Sequence, residues 1–268
     1  MDRLPTYFIS HGGGPWPWLK EEMPFYDALE TSLAAMPVEI GTTPRAVLVI
    51  SAHWEAPAFT VQTHPNPPML YDYGGFPERT YHIQYPAPGA PEVAARTAEL
   101  LADAGLPTAE DADRGYDHGT FVPLYVMYPE ADVPVVQLSL THGYDPDQHL
   151  AAGRALAPLR DEGVLIVGSG LSYHNLREFG PTAAEPSERF DTWLHAALTD
   201  GSTAERTEAL RNWEQAPSAR FAHPAEDHLV PLMVVTGAAE SEAAHRTYHD
   251  RMMGSVTASS YRFGPALN

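Results

Sequence analysis

No cysteine occurs among the 268 residues, so disulfides and thiolate metal sites are excluded and any bound metal must be held by nitrogen and oxygen. Basic residues are scarce: 16 Lys and Arg stand against 35 Asp and Glu, a formal charge of −19. A chain of that sign repels phosphate backbones and anionic headgroups, so neither nucleic acid nor a membrane surface is an expected partner. Long apolar runs are also missing. None approaches the roughly 20 residues that a membrane span needs, and Met1 to Leu4 leads into a strand-like segment without a charged-then-apolar leader, so a cytoplasmic location is expected. Familiar motifs are absent too. GSGLSY at 168–173 starts like GxGxxG but has Tyr173 where the third glycine belongs, and no GxxxxGK[ST], GxSxG or HExxH is found.

What the chain does have is enough apolar matter for a sizeable core, 44% of its residues. Strand-like runs at 5–10, 45–52, 58–63, 133–140, 163–168 and 255–263 alternate with stretches of 3.6-residue apolar spacing at 91–104, 148–161, 187–199 and 205–213. No linker, repeat or low-complexity tract interrupts them. The pattern predicts an α/β fold in one domain. Between Asn66 and Pro91 the chain is crowded with Pro, Gly and Tyr, which blocks regular helix and predicts a long ordered excursion over the surface, of the kind that often covers a site.

Five histidines stand where strand or helix ends would gather them: His11 in TYFISHGGGP, His53 in AVLVISAHWE, His118 in RGYDHGTF, His174 in LIVGSGLSYHN and His228 in HPAEDHLVPL. Three of them close apolar, β-branched runs, which places their side chains at the C-terminal ends of strands, where α/β sheets build ligand sites. Imidazole is the commonest ligand for first-row metals and also titrates near neutrality, so the group predicts a metal centre with acid/base helpers. Seven other histidines, His64, His82, His142, His149, His195, His245 and His249, lie in polar or helix-surface contexts and are expected to be solvated.

Taken together, SHGGGP, SAHWE, YDYGGFPERTYHIQYPAPG, GYDHGTFVPLYVMYP, VPVVQLSL, GSGLSYHNLR and EDHLVPLMVV resemble the class III extradiol ring-cleaving dioxygenases, in the LigB-like superfamily, on the branch similar to 4,5-DOPA extradiol dioxygenase. The seven motifs stand in the family's order over nearly the whole chain, with 183–221 carrying little of the likeness. The resemblance implies a single αβα-sandwich domain spanning 1–268, with a mixed central sheet and a metal site at strand C-terminal ends. It also implies a mononuclear Fe(II), or Zn(II) in isolated protein, and O2-dependent opening of a catechol-type aromatic diol to a muconic semialdehyde. A monomer or small homo-oligomer is expected. A zinc-dependent hydrolase or a non-catalytic metal-binding protein on the same scaffold is the alternative.

Carried over by residue, the resemblance implies His11, His53 and His228 as metal ligands, with His174 and His118 as the catalytic acid/base pair. Gly12 to Gly14 leave room beside His11 for substrate, and the run before His53 predicts a rigid strand end. His223 competes with His228 for the third position. Pro231, Leu232 and Val235 share the helical face of His228, which favours it, and His223 is expected at a helix start beside Pro224. Non-haem iron sites typically include a carboxylate, for which Glu226 and Asp227 are candidates. Trp16, Trp18, Tyr71, Tyr73, Phe76 and Tyr81 are candidate pocket walls or packing, and Arg177 a candidate partner for a substrate carboxylate or for a structural ion pair.

Overall fold

The structure is a computed structural model that describes residues 3–267; Met1, Asp2 and Asn268, including the start of the expected leaderless run, lie outside the described residues. Eight strands form one mixed sheet: β1 Thr6–Ser10, β2 Ala46–Ala56, β3 Phe59–Gln62, β4 Thr108–Asp111, β5 Val135–Thr141, β6 Val164–Gly170, β7 Ala244–Met252 and β8 Val256–Phe263. Their order across the sheet is β4-β3-β5-β2-β6-β1-β8-β7. The central strands β5, β2, β6 and β1 run parallel, while β8 joins β1 antiparallel and β7 closes the edge against β8. β1 and β6 are buried at every position, and so are Ala46 to Ala52 of β2, as expected for parallel strands covered on both faces. The expected α/β fold with a mixed sheet is therefore present.

Among the described residues eight α-helices flank the sheet: α1 Asp27–Ile40, α2 Pro91–Asp103, α3 His118–Met127, α4 Pro146–Leu156, α5 Ala184–Thr199, α6 Thr203–Arg211, α7 Ala219–Ala222 and α8 Pro231–Ala238. Three successive residues at the end of β6 reveal the layering. Gly168 and Gly170 face the backbone carbonyls of Pro231 and His228, whereas the Ser169 hydroxyl between them donates to the Gly119 carbonyl of α3. Because side chains alternate across a strand, α3 and α8 cover opposite faces. A Cβ at Gly170 would overlap the His228 carbonyl, so only glycine admits this approach, and the Leu171 amide then donates to the same carbonyl at 3.0 Å.

Elements missing from the sequence reading, or read there only in part, have physical causes. α8 is buried at every position and α3 at all but Tyr125 and Val126, so neither carries an amphipathic stripe, and α3 and α1 each contain a proline, Pro123 and Pro37. β7 is a polar edge strand, and β4 is only four residues long. The excursion over 66–91 is found as expected. It contains one 3₁₀ turn, Glu78–His82, and is tied down by two isolated bridges, Met69 to Tyr116 and Gly89 to Val135.

Candidate metal centre

His11 follows β1 directly, at the C-terminal end of the sheet. Its carbonyl accepts from Trp16 Nε1 at 2.8 Å, clasping the glycine turn, in which Gly12 takes a φ of 78° that only glycine adopts freely. Its Nδ1 meets the Ser169 hydroxyl at 3.1 Å. His53 sits inside β2 rather than at its end, within a bulge: pairing with β5 jumps from Ile50 opposite Leu138 to Glu55 opposite Leu140. The extra residues swing the imidazole out of the ladder toward the site, a common use of bulges near functional centres. Buried Asp117 holds this bulge, accepting from Ser51 Oγ at 2.8 Å and from Arg114 at 2.9 Å, while Arg114 also donates to the His53 carbonyl.

His228 lies in the turn before α8, not on the helix, so the helical-face argument for it does not apply. The carbonyl pinned against Gly170 positions it instead. His223 caps the C-terminal end of α7 rather than starting a helix. It is fully buried among Phe190 and Trp213, and its Nε2 is bonded to the Ser172 carbonyl at 2.9 Å, which makes it a core residue.

The geometry brings His11, His53 and His228 together through one atom type. His53 Nε2 lies 3.1 Å from His11 Nε2 and 3.3 Å from His228 Nε2. Each Nδ1 has another partner: Ser169 for His11, Asp72 Oδ2 at 3.4 Å for His53, and Asp227 Oδ2 at 2.9 Å for His228. Burial and the neighbouring imidazoles push His11 well below its ordinary pKa, and burial outweighs Asp227 in doing the same to His228. Burial, then His118, lowers His53 to about 4. Three neutral imidazoles whose Nε2 lone pairs converge repel one another unless a cation lies among them. Their separations are those of nitrogens about 2.0–2.1 Å from a single ion. The donor set fits a divalent metal.

His118 and His174 flank that triad. His118 opens α3, which is capped by Asp117 through the Thr120 amide. Its own partner is not Asp117 but Asp72, whose Oδ1 accepts from the His118 backbone amide at 3.0 Å and meets Nδ1 at 2.7 Å. The ring centroid of His118 is 4.0 Å from that of His53, and a single ion could instead be reached by the group His11, His53 and His118. His174 stacks on His228, with centroids 3.3 Å apart and planes inclined by 16°. Its Nδ1 is 3.8 Å from Asp227 Oδ1. Of the two candidate carboxylates, Glu226 is turned away to Arg220 at 2.6 Å, and Asp227 supports His228 from behind.

All five histidines open onto one cavity of about 520 Å³, walled by Met23, Tyr26, Tyr73, Phe76, Leu171 and Phe179. Tyr73 and Phe76 are therefore the pocket aromatics. Trp16, Trp18, Tyr71 and Tyr81 do not line it; Trp16 is buried against Tyr26, and Trp18 stacks on Tyr125. Arg177 is exposed beside the rim residue Leu176 and forms no ion pair or side-chain hydrogen bond among the described residues, so the structural ion pair is not found. His149, expected in solvent, is buried: its Nδ1 bonds the Asp145 carbonyl at 2.7 Å and its Nε2 accepts from the Thr141 amide. Sequence reading missed Asp72, Arg114 and Ser169, and Asp117, the residue that suggests a turn-bracing bond to His118, is bonded to Ser51 and Arg114 instead. Asp72 carried a signal, as the one acidic residue in YDYGGF, but the flanking tyrosines drew the attention.

Residues 9–264 match the family described as the catalytic LigB subunit of aromatic ring-opening dioxygenase. The chain belongs to that family. It is 41% identical over 264 residues to a 4,5-DOPA dioxygenase extradiol of Beta vulgaris, covering 96% of each chain. A protein of the same description from Escherichia coli K12 is 36% identical over 88% of this chain and 85% of its own. The crystal structure of an uncharacterized E. coli K12 protein superposes with a TM-score of 0.79 at 31% identity, covering 98% of this chain and all of the other. As a LigB-family member, the protein is an aromatic ring-opening dioxygenase, an enzyme of the extradiol type.

Proposed function

We propose that the protein cleaves a catechol-type aromatic diol with O2 to a muconic semialdehyde, using Fe(II) held by His11, His53 and His228, with His174 and His118 as proton carriers. The observation that carries this reading is the convergence of three Nε2 atoms at 3.1 and 3.3 Å, each imidazole being engaged at Nδ1 by another group. A ferrous ion bound there would supply Lewis acidity toward the diol oxygens and a path by which the diol's electrons reach O2. Everything else falls to side chains. The apolar walls from Met23 to Phe179 accept a flat ring and keep water from it. His118 and His174, on either side of the triad and both at the cavity, receive and return the hydroxyl protons of the diol. Arg177, next in the chain to the cavity residue Leu176 and unpaired among the described residues, supports a substrate that carries a carboxylate away from the ring.

The test is anaerobic loading with Fe(II), then oxygen and a panel of catechols with and without carboxylate side chains. Oxygen uptake matched to the appearance of a yellow semialdehyde is expected. Equal turnover in zinc-loaded and iron-loaded protein, with no oxygen consumed, would replace this reading with the hydrolase.

A further inference from the structure

Each of the two cavity histidines shares a carboxylate with one member of the triad. Asp72 Oδ1 meets His118 Nδ1 at 2.7 Å while its Oδ2 lies 3.4 Å from His53 Nδ1. Asp227 repeats the arrangement across the site: Oδ2 bonds His228 Nδ1 at 2.9 Å, and Oδ1, buried and without a hydrogen-bond partner, faces His174 Nδ1 at 3.8 Å. The two pairs of rings are also in contact, His118 with His53 and His174 with His228. Nothing in the local sequence makes these units alike, since Asp72 comes from the proline-rich excursion 46 residues before His118, and Asp227 adjoins His228 in the chain.

We propose that Asp72 and Asp227 are paired positioning residues, each fixing with one carboxylate the ring orientation and tautomer of a metal ligand and of the adjacent proton-carrying histidine. A carboxylate accepts only, so it selects the tautomer with hydrogen on Nδ1. His118 and His228, hydrogen-bonded at 2.7 and 2.9 Å, are thereby set with Nε2 as a lone pair, and the second oxygens, 3.4 Å from His53 and 3.8 Å from His174, favour the same tautomer electrostatically. On His53 and His228 that lone pair points into the triad; on His118 and His174 it is left free to take a hydroxyl proton from substrate. One carboxylate serving two rings also couples them, because a change that moves Asp72 moves His53 and His118 together. An outer partner of a ligating histidine contributes roughly 10- to 100-fold to metal affinity in comparable sites.

The inference rests on the metal reading above, and its test separates the two. Apoprotein is titrated with Co(II) against a competing chelator for wild type, Asp72→Asn, Asp227→Asn and Glu226→Gln, the last removing a carboxylate that pairs with Arg220 instead. Both Asn variants are expected to bind Co(II) roughly 10- to 100-fold more weakly, with Glu226→Gln unchanged and Asp72→Glu recovering part of the loss. In iron-loaded enzyme the Asn variants should lose kcat with little change in KM. ¹⁵N spectra of zinc-loaded wild type should show His118 and His174 protonated at Nδ1, and Asp72→Asn should remove that preference from His118 alone. Wild-type Co(II) affinity in both Asn variants, or a wild-type His118 protonated at Nε2, would overturn the pairing while leaving the metal site in place. A wild type with no Co(II) affinity would overturn both.

Discussion

His174 and His228 lie face to face, yet the first is expected to move protons and the second to hold metal, so single substitutions should separate them. His174→Ala should keep its metal and lose roughly 10²–10⁴ in kcat, the usual contribution of a positioned proton carrier. Oxygen uptake in metal-loaded variant is the measurement, and wild-type turnover there would remove His174 from the chemistry. His11→Ala, His53→Ala and His228→Ala should instead lose metal, read by elemental analysis. If His118→Ala loses metal while His228→Ala does not, the ion sits in the other histidine group. Arg177→Ala should raise KM for a carboxylate-bearing catechol roughly 10- to 100-fold, the worth of a hydrogen bond to a charged group, and leave unsubstituted catechol unaffected. At this scale the sequence was informative wherever a histidine closed an apolar run. It did not reach the partners of Asp72 and Asp117, which lie 46 and 66 residues away in the chain, across contacts that no local pattern encodes.

Among elements, the β6 end and the turn before α8 form the tightest junction in the site, because the His228 carbonyl occupies the space a side chain at Gly170 would need. Gly170→Ala should therefore cost roughly 1–3 kcal/mol by overpacking, seen as a lower denaturant midpoint, and should weaken metal binding by shifting His228. Gly143→Ala is a useful contrast, because open space surrounds that glycine and only its φ of 84° is strained. The six strands read from sequence are all present because burial on one or both faces leaves an apolar signature. The β2 bulge is invisible in AVLVISAHWEA, since a bulge is a property of pairing with β5 and not of the strand alone. The same reasoning explains why α8 was noticed only through His228: a helix apolar on all sides has no face to read.

For the whole molecule, two buried histidines outside the metal triad set an expectation for acid. Burial lowers both His149 and His223 to about 4, against an ordinary value near 6.5. The unfolded chain takes up protons at these residues first, so their stabilising effect is complete above about pH 6.5 and is lost as pH falls toward 4. Each could remove up to roughly 3 kcal/mol over that window. Urea midpoints between pH 7 and 4.5 should fall, and His149→Gln should flatten the slope. The α/β class was legible from alternating patterns, whereas the sheet order was not, because it depends on which runs pair. The three Nε2 atoms come from positions separated by 42 and 175 residues, one at the end of a strand of the sheet, one within a strand and one on a turn packed over its face. An unfolded chain cannot hold such a set together, so an ion bound there acts as a clasp on the folded state alone. Free metal at a thousandfold its dissociation constant should add about 4 kcal/mol of stability, and chelation should lower the melting temperature without altering the sequence of events at any one residue: β1, β2 and the α8 turn would loosen as one unit, visible as a joint rise in their amide exchange.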